Sequence, residues 1–287
     1  MRVSLVIKTD VPNADVITKR VITALKEFDI EPLIFSQDAE RFSLSPKDCG
    51  FTAAREELFS LCDAVIAVGG DGTIFHAAAD AMIWEKPVLG INAGRLGFLA
   101  QMELDDLSPL ADFVAGRYTV EERLVLEAEI IRPERKKKTV RAINDIVFSR
   151  PDFGRVFDIE VCCNDGPVGV YRADGIIFAT PTGSTAYSLS AGGPIADPTI
   201  DCIIMTPMAS HSLVSRSIVF SADKILTAHS PDSGTDAFYL VADGRPVDAV
   251  AQNDIVIIRK SRFRTRFICL HGHNFYHILN EKMKRRG

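Results

Sequence analysis

No stretch of the 287 residues stays apolar long enough to cross a bilayer as a helix. The opening residues, 1–10, are apolar but short, and no secretory leader of the usual kind is expected there. Cysteine is sparse: Cys49, Cys62, Cys162, Cys163, Cys202 and Cys269 include no Cys-x-x-Cys pair. That pattern argues against a zinc site or a disulfide framework, and for small apolar side chains in a reducing cytoplasm. Histidine is scarce as well. His271, His273 and His277 lie close together, but no cysteine or acidic ligand sits at matching spacing, so they read as surface or capping residues and no protein-held metal is expected. Positive charge is not in excess: 33 Lys and Arg face 38 Asp and Glu, for a net charge of −5. This leaves no global field to hold nucleic acid or an anionic membrane, and neither is expected as a partner. The basic clusters, Arg135 to Lys138 and Lys282, Lys284, Arg285 and Arg286, read as solvated charges. Two common nucleotide signatures, GxxxxGK[ST] and GxGxxG, are also missing, which excludes a Walker-type site and the standard dinucleotide fingerprint.

What is present is an ordered alternation. Residues 2–8 are β-branched and apolar, as in a buried strand, whereas 15–28 carry Val16, Val21, Ile22, Leu25 and Phe28 at helical spacing. A short apolar run follows at 32–35, then a helical pattern at 53–61, a strand at 64–68, a helix at 74–84 and a strand at 87–91. Alternating strands and helices predict a parallel, doubly wound α/β layer. From about residue 119 to 260 the runs become short and strand-like, at 124–131, 143–149, 157–163, 175–179, 202–206, 218–220, 237–242 and 254–259. Turn signals such as Asn164-Asp165-Gly166, Pro181-Thr182-Gly183, Ser233-Gly234 and Asp243-Gly244 separate them, which predicts a β-sandwich. An amphipathic helix is expected within 104–116 and a last helix over 274–284. The length is ample for two domains in close contact.

Three segments carry chemistry. Gly69-Gly70-Asp71-Gly72-Thr73 follows a strand and opens a helix. Glycines let the backbone turn tightly and approach a phosphate, which the amides and positive end of the helix then favour. A carboxylate there repels phosphate unless it has a task, so Asp71 is informative: it can orient a hydroxyl nucleophile and take its proton, or hold a metal ion. The same glycines also suit a plain strand-to-helix turn. Asn144-Asp145 opens a predicted strand with two poor strand formers, which suits ligand hydrogen bonding and a turn equally. The third segment is Tyr171-Arg172-Ala173-Asp174-Gly175 followed by Thr180-Pro181-Thr182-Gly183-Ser184-Thr185-Ala186-Tyr187-Ser188-Leu189-Ser190-Ala191-Gly192-Gly193-Pro194-Ile195. Its hydroxyls and glycines suit ribose and phosphate, and Tyr187 offers a face to adenine; its apolar flanks argue against a flexible Gly/Ser loop.

Together these segments resemble the NAD kinase family. The resemblance runs in consistent order from about 65 to 218 and includes 69–73, 86–92, 94–99, Glu121-Glu122-Arg123, Asn144-Asp145, 171–175, 180–195, Thr206-Pro207 and His211-Ser212-Leu213. The first motif alone is not specific, since diacylglycerol, sphingosine and 6-phosphofructo-kinases share a similar GGDG; the run 180–195 is far more so. The resemblance implies an N-terminal parallel, Rossmann-like α/β domain (1–103) and an all-β sandwich (104–265), with a C-terminal helix and tail (266–287) packing back on the first domain. It implies transfer of a phosphoryl group from ATP, or another phosphoryl donor, to the adenosine 2′-hydroxyl of NAD to make NADP, with Asp71 as the base. Gly72, Asn144, Asp145, Arg172, Asp174, Thr185, Ala186, Tyr187, Ser188, Leu189 and Ser190 would line the dinucleotide site, with Arg155 as a further candidate. It implies a cytoplasmic homo-oligomer, dimer or tetramer, in which a neighbouring subunit can complete the site. No cage of ligands is visible, so Mg²⁺ or Mn²⁺ is expected to arrive with ATP. The chain departs from the family in places: Asp145 stands where many members have glutamate, Ala209-Ser210 replaces a Cys-Pro or similar pair, and Ala93 stands where a larger apolar residue is common. Arg245 stands near a position where a polar amide often meets ligand. The alternatives are a lipid kinase with the same GGDGT motif, opposed by the polar run 180–190, and a non-catalytic NAD(P) sensor, opposed by Asp71.

Overall fold

A computed structural model describes residues 1–94, 97–132, 137–150, 157–164, 166–210, 215–231, 238–270 and 275–284. Arg155, His271 and His273 lie outside the described residues. The chain forms two compact units, Met1–Glu122 with Thr265–Gly287, and Arg123–Arg264. Residues 104–122 therefore belong to the first unit.

The first unit opens with β1 (Arg2–Ile7), α1 (Ala14–Glu27), β2 (Glu31–Phe35), α2 (Ser36–Arg41), β3 (Gly50–Thr52) and α3 (Arg55–Ser60). It continues through β4 (Ala64–Gly69), α4 (Asp71–Ala81), β5 (Pro87–Asn92), β6 (Ala100–Glu103) and α5 (Leu110–Val114). The strands pair in parallel in the order β3-β2-β1-β4-β5-β6. A parallel sheet is covered on both faces, which is why β4, Ala-Val-Ile-Ala-Val-Gly, is buried at every position. Helix α1 buries Ala14, Thr18, Val21, Ile22 and Leu25, the 3–4 spacing of one helical face. Over 104–116 only α5 forms. The Asp106 carboxylate accepts the Ser108 N–H at 3.0 Å, an Asx turn that diverts the backbone from helix until Pro109 caps α5.

The remaining strands are β7 (Tyr118–Ile131), β8 (Lys138–Ala142), β9 (Asp145–Ser149), β10 (Phe157–Cys163), β11 (Gly166–Ala173) and β12 (Gly175–Ala179). After the four-residue α6 (Tyr187–Ser190) come β13 (Cys202–Met208), β14 (Ile218–Ser221), β15 (Leu226–His229), β16 (Phe238–Ala242), β17 (Arg245–Val250) and β18 (Ile255–Leu270), and the chain ends in α7 (Phe275–Lys284). In the second unit one antiparallel sheet runs β14-β13-β12-β9-β16-β17, and β11-β10-β15-β18 form another, with β7 paired to β18 and β8. The two sheets share a core in which Phe148 meets Phe178 and Phe238 edge-on at 5.5 and 5.0 Å, while Phe157 stacks on Phe238 at 5.8 Å. The other face of the six-stranded sheet is buried too: Val147, Ile177, Ala179, Cys202 and Ile204 pack under Ala191 and Ala196. The hydroxyl-rich run is thus a folded cover on the sheet. Strands β10 and β11 pair antiparallel on either side of the Asn164-Asp165-Gly166 turn signal, with Asn164 in the left-handed region at φ 53°.

Candidate active site

In the first unit the chemistry gathers where β4 passes into α4. Gly69 must be glycine, since a Cβ there would lie 2.5 Å from Thr73 Oγ1. Gly70 caps α4 without a side chain, and a Cβ at Gly70 or Gly72 would meet nothing within 4 Å, so the backbone stands open. Asp71 heads the helix. Its Oδ2 accepts the Phe98 N–H at 2.9 Å and its Oδ1 the Leu99 N–H at 3.1 Å. A Cβ on Gly97 would lie 2.0 Å from Asp71 Oδ1, so only glycine lets these amides close on the carboxylate. Residues 92–94 are anchored in turn: Ala93 N–H donates to Gly69 O at 3.2 Å, and Asn92 Nδ2 bonds Glu103 at 2.8 and 3.0 Å. Asp71 Oδ2 also receives the Lys282 ammonium at 3.1 Å, and the side chains of Asp71 and Lys282 are 35% and 21% exposed. The same ammonium lies 4.0 Å from the centre of the Phe98 ring, which faces Phe275 of α7 at 5.9 Å.

In the second unit the order is imposed by Asp243, in the turn between β16 and β17. Its carboxylate accepts the N–H groups of Ile143, Asn144 and Asp145 at 2.9, 2.8 and 3.1 Å, and its own N–H donates to Asp145 O at 3.0 Å. Thr180 clamps the same turn from β12: Oγ1 donates to Ile143 O at 2.6 Å, and N–H to Asn144 O at 2.8 Å. A Cβ on Gly183 would sit 2.0 Å from Asn144 O, which explains the glycine inside the hydroxyl run. Ser184 donates to Pro181 O at 2.6 Å and accepts Ala196 N–H at 3.0 Å; Ser188 and Thr206 share a hydroxyl contact at 3.1 Å. Burial pushes the Asp145 carboxyl up to about 7, with the Asp243 carboxylate adding to the shift. Asp145 is thus poised near neutrality to accept or donate a hydrogen bond.

A family model described as the ATP-NAD kinase N-terminal domain matches residues 3–118, and one described as the ATP-NAD kinase C-terminal domain matches 143–270. The chain belongs to the NAD kinase family. It is 38% identical over 271 residues to the NAD kinase of Caldanaerobacter subterraneus subsp. tengcongensis, 94% of each chain, and 42% identical over 222 residues to that of Symbiobacterium thermophilum, 77% of this chain and 78% of the other. Among solved structures, the NAD kinase of Archaeoglobus fulgidus in complex with ATP is 26% identical with a TM-score of 0.74, covering 99% of both chains. The yeast NADH kinase complexed with NADH shares the fold at 24% identity and a TM-score of 0.89, over 99% of this chain and 87% of that one. The two-domain NAD kinase fold, parallel α/β followed by a mostly β domain, is the fold of this chain.

Within the NAD kinase β domain, the residues singled out from the sequence fall into two groups. Asn144 meets the 180–190 cover directly, and Asp145 pairs with Ala179 just before it. Thr185 Oγ1 bonds Thr182 O at 3.2 Å, Ala186 precedes α6, Ser188 is buried, Leu189 is half-buried, and Tyr187 and Ser190 are exposed. Asp174 and Arg172 are elsewhere. Ala179 pairs with Asp145 at one end of β12, and Gly175 with Ser149 at the other. Six strand steps of roughly 3.3 Å separate Asp174 from Thr180 along the chain, on the order of 20 Å. Asp174 is held by Arg150 Nη1 at 2.8 Å, while Arg172 pairs bidentately with Asp158 at 2.9 and 2.8 Å on the exposed strand β11. Sequence reading passed over Asp243, taken only as a turn residue, and Lys282, taken as a solvated tail charge. The Asp-Gly dipeptide was a signal for the first; nothing local marked the second. Among the described residues no cluster of metal-ligating side chains is present.

Proposed function

We propose that this chain transfers the terminal phosphoryl group of ATP to the adenosine 2′-hydroxyl of NAD, forming NADP. The observation that carries the reading is the placement of Asp71: a glycine-flanked carboxylate at the open head of a helix, oriented by the amides of Phe98 and Leu99. Asp71 orients the 2′-hydroxyl and accepts its proton as the oxygen–phosphorus bond forms and the bond to the leaving diphosphate breaks. The transition state is loose, so an ordinary carboxylate is base enough. Asn144 and Asp145, fixed by Asp243 and Thr180, present polar groups to ribose hydroxyls, and Tyr187 offers an exposed ring to the adenine. The divalent cation belongs to the donor, entering as the metal–ATP complex and neutralising phosphate charge.

Asp174 lies on the order of 20 Å along the chain from Thr180, and the assembly that goes with this reading is a homo-oligomer in which a neighbouring subunit contributes to the dinucleotide site. Six free cysteines support a reducing, cytoplasmic setting. No helix among the described residues is long and apolar enough to cross a membrane. The test is NADP formation by the purified chain from NAD and MgATP. Asp71→Asn keeps the shape but cannot take the proton, and should lower kcat by about 10²–10⁴-fold while NAD still binds. Absence of NADP from the wild type, or near wild-type turnover by Asp71→Asn, overturns the reading.

A further inference from the structure

Lys282 does not behave as a tail lysine. Its side chain is only 21% exposed, and its ammonium turns inward to Asp71 Oδ2 at 3.1 Å over the Phe98 ring. Two residues on, Lys284 is 63% exposed and pairs with Glu281 on its own helix. Asp71 Oδ2 carries two donors, the Phe98 N–H and this ammonium, whereas Oδ1 carries the Leu99 N–H. A carboxylate has about four lone-pair sites, two to an oxygen, so Oδ2 is saturated in this arrangement. Oδ1 keeps one lone pair, so the lysine blocks the Oδ2 side alone, and a hydroxyl approaching on that side displaces it.

A displaced ammonium does not travel far. The attacking oxygen sits one hydrogen bond from the carboxylate, and phosphorus lies about 3–3.5 Å beyond it in a near-attack geometry. A cation tethered 3.1 Å from the same carboxylate oxygen therefore falls within reach of the phosphoryl oxygens. Resting on the reaction proposed above, we infer that Lys282 is a catalytic residue of phosphoryl transfer: neutralised by Asp71 in the resting enzyme, it shifts to the non-bridging oxygens of the transferred group when the triphosphate binds, and so frees Oδ2 for the hydroxyl. The lysine keeps its protons throughout. The hydroxyl proton passes to Asp71, the new oxygen–phosphorus bond forms, and the electron pair of the broken bond leaves with the diphosphate. The lysine thereby couples donor binding to opening of the Oδ2 side of the base, and stabilises charge on the equatorial oxygens.

The test combines kinetics with footprinting on the full-length protein. Lys282→Met should lower kcat by about 10²-fold, the usual cost of one preorganised charge-stabilising donor, with the Kd for NAD unchanged. Lys282→Arg should recover at least a tenth of wild-type turnover, and Lys284→Met should match wild type. In an Asp71→Asn background, Lys282→Met should still cost tenfold or more, because the phosphoryl contact does not depend on the carboxylate. In the wild type, amine-specific acylation read by peptide mass should label Lys282, and MgATP should protect it where NAD alone does not; this arm needs no variant to fold. Turnover of Lys282→Met within threefold of wild type, no added cost in the Asp71→Asn background, or labelling indifferent to MgATP would each overturn the inference. A wild type that forms no NADP overturns the reaction itself, whereas an active wild type with an indifferent Lys282 overturns only the lysine's role.

Discussion

Gly97→Ala separates activity from stability at this site. The added methyl carbon would stand 2.0 Å from Asp71 Oδ1 and 2.7 Å from its Cγ, where carbon–oxygen contacts of about 3.4 Å are ordinary. Something must retreat by more than an ångström, and the cheapest mover is the aspartate, by rotation about its own side-chain bonds. It then loses the amides of Phe98 and Leu99 that aim it. A misplacement of roughly 1 Å at a reacting group costs on the order of 10²-fold in rate. The fold loses far less, because the Asp71 side chain is 35% exposed and the freed carboxylate turns to water. A loss of about 1 kcal/mol lowers Tm by roughly 2–4 °C in a protein of this size. The assay pairs steady-state NADP formation with thermal melting, and the expected result is a kcat near one hundredth of wild type with Tm lowered by no more than a few degrees. A folded Gly97→Ala with kcat within threefold of wild type would refute the argument that the 97–99 backbone aims the base.

Asp174→Ala should weaken NAD binding by roughly tenfold to a hundredfold, the cost of a hydrogen bond involving a charged group, while the protein stays folded; an unchanged Kd in calorimetry counts against Asp174 as a ligand contact. Complete removal of divalent ions with EDTA should abolish NADP formation and excess Mg²⁺ should restore it; turnover that survived chelation would remove the metal–ATP complex from the mechanism. Asp145 has a carboxyl raised from 3.8 to about 7, so the folded state holds a proton that the unfolded chain releases. Its stabilising contribution is full below about 4 and is lost as pH rises through about 7, a span worth on the order of 4 kcal/mol. Asp145→Asn should therefore gain stability relative to wild type between pH 5 and pH 8 in melting experiments; a constant difference across that range contradicts the buried, protonated carboxyl.

Strand and helix identities in the first hundred residues were legible because a buried parallel strand needs an unbroken apolar run and a covering helix needs its 3–4 spacing, and both patterns are local. The many short strands of the second unit, and the hairpin at Asn164, followed from turn chemistry in the same way. β18 was harder: only 254–259 read as strand, yet it runs to Leu270. Its later half alternates Arg262, Arg264 and Arg266 with less polar residues, and the charges find Asp201 and Glu122 as partners far away in sequence. Composition and motif also pointed to Asp71, to Asn144-Asp145 and to the hydroxyl run as the places where chemistry is concentrated. Tertiary structure alone decided how they are held. Asp243 reaches back about a hundred residues to organise 143–145, Gly97 exists for a carboxylate 26 positions earlier, and Lys282 meets Asp71 across 211 positions. It also set Asp174 apart from Asn144, two residues that the family resemblance assigns to one dinucleotide site, because an extended strand carries the chain about 3.3 Å further with every residue. Local sequence records which backbone conformation is favoured, whereas a long-range contact depends on where two elements dock, and no spacing within either element encodes that.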